Sequence, residues 1–454
     1  MDTNRHVAER ELEHGPEANG TAVDMDCRVE TIPVAGAAAV PQTMCTTVHG
    51  HVIFADAGAA YALQNVTFGH ELESLNAWTR LGTASNIDEF AAGLDDVAYN
   101  FNVLYADDDG NIAYWHIGHV PVRAAGANPL FPTPGTGEYE WQGILPFDQN
   151  PHSRNPDQGW LASWNNKPAP GWANSSADFW RWGGAHRVNT FMDFLEGVAP
   201  GTATTRTLEL LNRTGGWTTD TPSGQASSVF VSSYFDEMLA SVDRTADPRL
   251  DAIAHLLKNW DHLQTDRDGD GYYDHPGGTI FNAWWSALSD RVFADDTAAL
   301  IDRFVIGNLI DRMYAGSAAG LPLVHDYLDG ESVAQATTAS LIAAIDSLEA
   351  AFGSDDPDDW QQPISVISWS PVGVGTVPDT IWVNRGTYNQ IVYLGAGSRL
   401  SAENVISPGQ SGDPASPHFA DQLELYATWQ YKPMRLTERD LRGHTESVET
   451  LAGP

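Results

Sequence analysis

Lysine, cysteine and long apolar runs are scarce in this 454-residue chain, and these shortages exclude particular partners and structural classes. The lysines are Lys167, Lys258 and Lys432, and 60 acidic residues outnumber 24 Lys and Arg residues, which gives a formal net charge of −36. A surface this acidic repels nucleic acid and anionic lipid, so we expect neither as a partner. The apolar runs are too short to span a membrane, and the polar start of the chain shows no signal peptide.

The acidic excess with so little lysine predicts a protein kept soluble in concentrated salt, and we therefore expect a halophilic source. An ordinary acidic enzyme is the alternative, and it predicts a fold that is stable without salt. The two cysteines, Cys27 and Cys45, have no CxxC metal spacing and are too few for a disulfide framework. Cys45 is expected to fill space on a strand.

The order of sequence patterns predicts an α+β fold. Residues 1–29 are polar and predict a disordered arm, whereas residues 30–454 predict a folded domain. Two β-rich runs, Asn100–Ala106 and Asn111–Gly118, flank an Asp-Gly turn and predict a hairpin. Apolar spacings of three and four recur over about 188–355, which predicts a helical insertion between sheet elements.

An aspartate-rich stretch is the candidate metal site. Asp266, Asp268 and Asp270 alternate along the chain, and Asp274 follows at the ninth place, as in the front half of a calcium loop. Carboxylates alternating on a tight turn converge on one hard cation, so calcium is the expected cofactor. The bidentate acid of the twelfth place is replaced by Gly277, and a solvated acidic loop is the alternative.

Common catalytic signatures are absent from the sequence: it has no GxSxG, no HExxH, no P-loop and no dinucleotide-binding glycine loop. Asn165 and Asn166 stand beside tryptophans in a loop rich in glycine and proline. Such amides suit an oxyanion donor or a substrate clamp. Hydrogen bonding to the backbone of their own turn is the alternative.

Several short segments, in order along the chain, resemble the β-chain of the penicillin acylase (penicillin amidase) family. They are Thr47-Val-His-Gly, Leu104-Tyr-Ala-Asp-Asp-Asp-Gly-Asn-Ile-Ala-Tyr, Pro132-Thr-Pro-Gly-Thr-Gly-Glu-Tyr-Glu-Trp-Gln-Gly, Ser163-Trp-Asn-Asn-Lys-Pro, Trp182-Gly-Gly-Ala-His-Arg-Val and Pro408-Gly-Gln-Ser-Gly. Each segment alone is weak evidence for the family, but the occurrence of all of them in the same order as in the family is specific. The resemblance covers residues 30–454 and implies a four-layer αββα N-terminal-nucleophile hydrolase fold.

The resemblance also implies an activity and its residues. Family members hydrolyse linear amides of small N-acyl substrates: a β-lactam side chain, an acyl-homoserine lactone or another N-acyl amine. The first residue of their β-chain is a serine whose hydroxyl attacks the acyl carbon and whose own α-amine acts as the base. The matching motifs give Asn165 the role of oxyanion donor and make Arg187 the residue that organises the nucleophile's surroundings. Family members are typically exported.

The start of the chain departs from this pattern. The family's serine lies well upstream of the segment that begins here at Thr47, and residues 1–29 contain no serine. We therefore expect a β-chain that lacks its N-terminal part, so that the fold is incomplete and an α-chain or upstream fragment is needed as a partner. The competing hypothesis is a non-catalytic remnant or a calcium-binding scaffold.

Overall fold

The computed structural model forms two compact units, Met1–Trp182 and Gly183–Pro454, each described below by itself. The described residues are 3–9, 17–18, 21–55, 59–128, 131–170, 172, 185–217, 235–297, 309–310, 312–316, 323–369, 377–383, 385–395, 399–445 and 447–450. Within them, no helix has the length and apolar character to cross a membrane.

Strands dominate the first unit. They are β1 (Thr3–Glu9), β2 (Glu17–Ala18), β3 (Thr21–Ala22), β4 (Asp26–Ile32), β5 (Val40–Thr47), β6 (Gly50–Ala55), β7 (Ala59–Asn65), β8 (Phe101–Ala106), β9 (Ile112–Ile117), β10 (Thr133–Pro134) and β11 (His152–Arg154). The main sheet has the order β10-β1-β7-β6-β5-β4, and a second has the order β11-β9-β8.

The segment over which a disordered arm was expected contains strands in the structure. β1 pairs antiparallel with β7 and parallel with β10, and β4 pairs antiparallel with β5. Their side chains are mostly polar, so composition alone favours a solvated arm. Pairing satisfies the backbone N–H and C=O groups whatever the side chains are, and composition does not reveal it.

The two cysteines also differ from expectation. Cys45 does lie on a strand, β5, but it forms a disulfide with Cys27 of β4 instead of filling space. The two residues are direct partners in the antiparallel register, with their Cα atoms 4.1 Å apart. The bond depends on that register, which the spacing of two isolated cysteines does not give.

The predicted hairpin is confirmed as β8 and β9, and it carries the core of the first unit. The turn places Gly110 at φ +87°, and Asp107 Oδ1 accepts a hydrogen bond from the Asn111 N–H at 2.8 Å. Helices α1 (Glu71–Leu81) and α2 (Ile87–Leu94) contribute Ala77, Leu81, Ala91 and Leu94 to a buried cluster with Ala113, Trp115 and Ile117 of β9. The hairpin and the two helices therefore share one buried core.

Helices dominate the second unit, as the periodicity over about 188–355 predicts. They are α3 (Ala185–Glu196), α4 (Thr205–Trp217), α5 (Phe235–Ala240), α6 (Leu250–Asn259), α7 (Gly277–Thr297), α8 (Val333–Phe352), α9 (Leu423–Ala427) and α10 (Glu438–Leu441). The strands are β12 (Val366–Ile367), β13 (Thr380–Ile381), β14 (Tyr388–Gly395), β15 (Arg399–Ile406) and β16 (Lys432–Pro433). The apolar spacing also predicts a helix over Ser228–Val242, and the first part of that range lies outside the described residues.

Local signals fix α8 at both ends. Ser332 and Gln335 form a reciprocal capping box at its start, and Gly353 ends it in the left-handed conformation at φ +67°. The apolar face of α8 packs on α7, where the buried Trp284 donates its indole N–H to the Thr337 carbonyl at 3.2 Å. This pair of helices anchors the core of the second unit.

The sequence pattern also predicts a helix over about His418–Tyr431, but in the structure α9 has five residues. Trp429 adopts a left-handed φ of +58°, which a continuing helix does not allow.

The chain turns there around Arg385, which is only 5% exposed. Its guanidinium carbon lies 5.0, 4.6 and 4.9 Å from the ring centroids of Tyr426, Trp429 and Tyr431. Its Nε donates to Asn389 Oδ1 at 2.6 Å, and its Nη1 donates to the Tyr426 carbonyl.

Candidate functional site

The two asparagines of the Trp-Asn-Asn loop in the first unit differ in exposure. Asn166 is part-buried, its Oδ1 accepts the Trp164 N–H at 2.9 Å, and its Nδ2 donates to the Lys167 carbonyl at 3.1 Å. The alternative of a turn-bonding amide is therefore right for Asn166. Asn165 is exposed and takes a left-handed φ of +58°, a conformation that asparagine tolerates better than most residues.

Arg187 lies in the first turn of α3, in the second unit, whereas Asn165 lies in the first unit. The arginine side chain is outside the described residues. Its helix packs on α4, which in turn packs on β14. The backbone of Arg187 is thus held by a helix that is tied to a sheet.

Three of the four predicted calcium ligands converge. Oxygens of Asp266, Asp268 and Asp274 all lie within 4.8 Å of one another, between α6 and α7. Asp270 is not part of this group, because its Oδ1 accepts the Tyr272 N–H at 2.8 Å within the turn. The alternation of carboxylates predicted the convergence, but the turn redirects the third of them.

Backbone N–H groups and the Arg267 side chain already compensate part of the negative charge of these carboxylates. Asp266 accepts the N–H groups of Gly269 at 2.8 Å and Gly271 at 3.2 Å, and Gly271 has a φ of +87°. Asp274 accepts the Arg267 N–H at 2.8 Å, and the Arg267 guanidinium lies 3.6 Å from the same carboxylate. The same guanidinium donates to Asp261 Oδ2 at 2.9 Å, so the three converging carboxylates keep negative charge that suits a hard cation with oxygen ligands.

Histidines that sequence reasoning left aside lie close to these segments. His116 of β9 is buried, and its Nδ1 lies 3.1 Å from Asn102 Oδ1. Its ring meets Trp172 edge-on at 6.3 Å. Burial lowers the pKa of His116 to about 4, so the imidazole is neutral at pH 7. A lone histidine on a strand carries no spacing signal that would reveal this.

His49 of the Thr-Val-His-Gly segment acts as a brace. It is buried, and its Nε2 lies 2.6 Å from an oxygen of Glu140. Its backbone N–H donates to Thr47 Oγ1 at 3.1 Å, which holds the turn between β5 and β6. The Thr-Val-His-Gly segment therefore stabilises the turn between two strands of the main sheet.

The matching segments and the fold agree with a comparison against protein families, in which the family described as Penicillin amidase matches residues 4–443. The chain belongs to the penicillin amidase family. Penicillin G acylase from Escherichia coli is 28% identical over 474 residues, covering 95% of this chain and 54% of the relative. The acyl-homoserine lactone acylase QuiP of Pseudomonas syringae pv. tomato is 32% identical over 160 residues, covering 34% of this chain and 19% of that protein.

A solved structure is similar over the whole chain. The thermostable penicillin G acylase from Alcaligenes faecalis matches with a TM-score of 0.85 and 25% identity, covering 100% of this chain and 87% of that one. The α+β, N-terminal-nucleophile hydrolase fold implied by the resemblance is confirmed. The chain spans about half the length of the Escherichia coli relative, 54%. The roles of Asn165, Arg187 and the aspartates stay predictions, as do export and a halophilic source.

Proposed function

We propose that this chain is the part of a penicillin acylase-type amidohydrolase that supplies the oxyanion-stabilising amide. The observation that carries the proposal is the placement of Asn165, which is exposed in the Trp-Asn-Asn loop at the position that the family motif gives to the donor. The complete enzyme would cleave the linear amide of a small N-acyl substrate. Relatives named for penicillin G and for acyl-homoserine lactones support both substrate classes.

The proposed chemistry is acyl transfer to a serine and then to water. The serine hydroxyl adds to the amide carbon, and its proton passes to the leaving nitrogen, so an ester forms as the amine departs. Water then cleaves the ester and releases the acid. The Asn165 Nδ2–H group would donate to the oxygen that becomes negative in each tetrahedral intermediate. Arg187, at the start of α3, would orient the surroundings of the serine.

We propose that a partner chain brings the serine, and an uncovered face of the first unit supports this. β4 is the last strand of the main sheet, so its outer N–H and C=O groups lie at an edge. Large apolar side chains on this part of the sheet are exposed, among them Val29 at 66% and Phe54 at 57%. Exposed apolar surface next to an open strand edge is typical of an interface.

The test is to co-express the chain with the part of the Escherichia coli relative that this chain does not cover. We expect a stable complex that hydrolyses a penicillin, an N-acyl-homoserine lactone or a simple N-acyl amine, while the chain alone does not. Mass spectrometry of the released acid and amine checks the reaction. A complex that forms but hydrolyses none of the three would favour the non-catalytic scaffold.

We also propose that the loop between α6 and α7 binds calcium through Asp266, Asp268 and Asp274. Calcium at a hundred times its dissociation constant should stabilise the fold by about 2.7 kcal/mol, because it binds only the folded loop. Thermal unfolding with and without calcium measures this. Asp266→Asn should abolish the shift, whereas the matched variant Asp270→Asn should keep it. Equal shifts in both variants would contradict this ligand set.

A further inference from the structure

The segment around Asn165 is an exception to the acidity of the chain. About one residue in eight is acidic overall, since 60 of the 454 residues are Asp or Glu, yet residues 158–177 contain none. Lys167, one of the three lysines, lies near the middle of this acid-free segment. A net charge of −36 repels an approaching anion, and the missing acids together with one lysine weaken that repulsion here.

The side chain of Asn166 holds the backbone of Lys167 close to that of Asn165. Its Oδ1 accepts the Trp164 N–H at 2.9 Å and its Nδ2 donates to the Lys167 carbonyl at 3.1 Å, so one amide joins the two sides of Asn165. Consecutive Cα atoms are about 3.8 Å apart, which places the Cα atoms of Asn165 and Lys167 within about 7.6 Å of each other. Pro168 restricts the lysine backbone further, because the residue before a proline avoids the helical region.

The ammonium group of Lys167 is available to a ligand. The side chains of Lys167 and Asn165 are both exposed, and the ammonium forms no hydrogen bond or ion pair with the described residues. The preceding cation in the sequence, Arg154, is by contrast paired with Asp88 at 2.6 Å. A lysine ammonium is a point charge on a flexible stem, so it can turn its N–H donors toward a carboxylate on a substrate that Asn165 also contacts.

We propose that Lys167 determines substrate specificity by binding a carboxylate on the amine portion of the substrate, while Asn165 contacts the oxygen of the scissile amide. The preferred substrates are then N-acyl amines that carry a carboxylate, such as a penicillin or an N-acyl amino acid. An acyl-homoserine lactone has no such charge and gains nothing from Lys167. This inference rests on the proposed function, because it takes the oxyanion role of Asn165 as given.

Matched probes that differ in one charge test the proposal without relying on turnover. Phenylacetylglycine carries a carboxylate on its amine portion, phenylacetylglycinamide lacks that charge, and N-succinylbenzylamine carries a carboxylate on its acyl portion instead. Ligand-observed NMR measures their dissociation constants with the full chain, alone and in the co-expressed complex, at constant ionic strength. We expect the wild type to bind phenylacetylglycine about fivefold more tightly than either of the other two, as for a favourable exposed ion pair.

Variants of Lys167 separate its charge from its place in the loop. Lys167→Gln should remove the preference for phenylacetylglycine, and Lys167→Glu should reverse it, because the new carboxylate repels that of the probe. Lys167→Arg should keep the preference, since the positive charge remains. The matched control is Lys258→Gln on α6, which removes another exposed lysine, changes the net charge equally and should keep the wild-type preference.

Absent or equal binding of phenylacetylglycine and phenylacetylglycinamide by the wild type would overturn the proposal. So would an equal loss of preference in Lys167→Gln and Lys258→Gln, which would reveal a general effect of charge. Tighter binding of N-succinylbenzylamine would contradict the assignment of the carboxylate to the amine portion. Selective binding in a complex that hydrolyses no substrate would support the role of Lys167 and refute the proposed function, whereas hydrolysis without any preference would do the opposite.

Discussion

Replacing Arg385 by methionine is expected to lower the free energy of unfolding by about 2–6 kcal/mol, although most of the side-chain volume is kept, because each of two buried acceptors left without its donor costs about 1–3 kcal/mol. The guanidinium donates to Asn389 and to the Tyr426 carbonyl, and methionine leaves both acceptors buried without that donor. It also removes the cation that three aromatic faces surround. Among the described residues, carbonyls, an amide and aromatic rings surround Arg385 in place of a counter-ion.

Urea unfolding at fixed salt measures the loss, with two comparisons. Arg385→Lys keeps the charge but not the planar fork, so we expect an intermediate loss. Arg442→Met changes an exposed arginine in the same way chemically and should cost less than about 0.5 kcal/mol. A loss below about 1 kcal/mol for Arg385→Met would show that the aromatic residues hold this turn without the cation.

The second large effect is catalytic. In the assembled enzyme, Asn165→Ala is expected to lower kcat by about 10²–10³, the effect of removing one oxyanion donor. The thermal midpoint should change little, because Asn165 is exposed. Its left-handed φ of +58° adds a complication, since alanine is strained there by about 1 kcal/mol. Asn165→Gly removes the amide without that strain and should show the same loss of kcat.

Asn166→Ala provides the matched contrast one residue away. It removes the side chain that bonds Trp164 and Lys167, so we expect a lower thermal midpoint as well as a misplaced loop. Steady-state kinetics and thermal unfolding of the three variants separate the two roles. If Asn165→Gly keeps kcat within threefold of the wild type, Asn165 is not the donor.

Features set by neighbouring residues could be predicted from the sequence. The β8–β9 hairpin follows from its Asp-Gly turn, and α8 follows from its periodicity and caps. The convergence of Asp266, Asp268 and Asp274 follows from their alternation. Each depends on a few consecutive residues whose conformations are locally determined.

Features set by register and by distant partners could not be predicted. The Cys27–Cys45 disulfide requires the alignment of two strands, and the hydrogen bond from Asn212 of α4 to Asn389 of β14 requires a helix to dock on a sheet. The early end of α9 reflects the left-handed backbone at Trp429, beside Arg385. In each case tertiary contacts decide between local conformations of similar energy.

The disulfide between β4 and β5 has a consequence for assembly. It joins the outermost strand of the main sheet to its neighbour, so the partner chain proposed above would meet an edge that is ordered before contact. A preordered edge lowers the entropy lost on association. In a reducing compartment the same strand would rely on its antiparallel backbone pairing with β5 for that order.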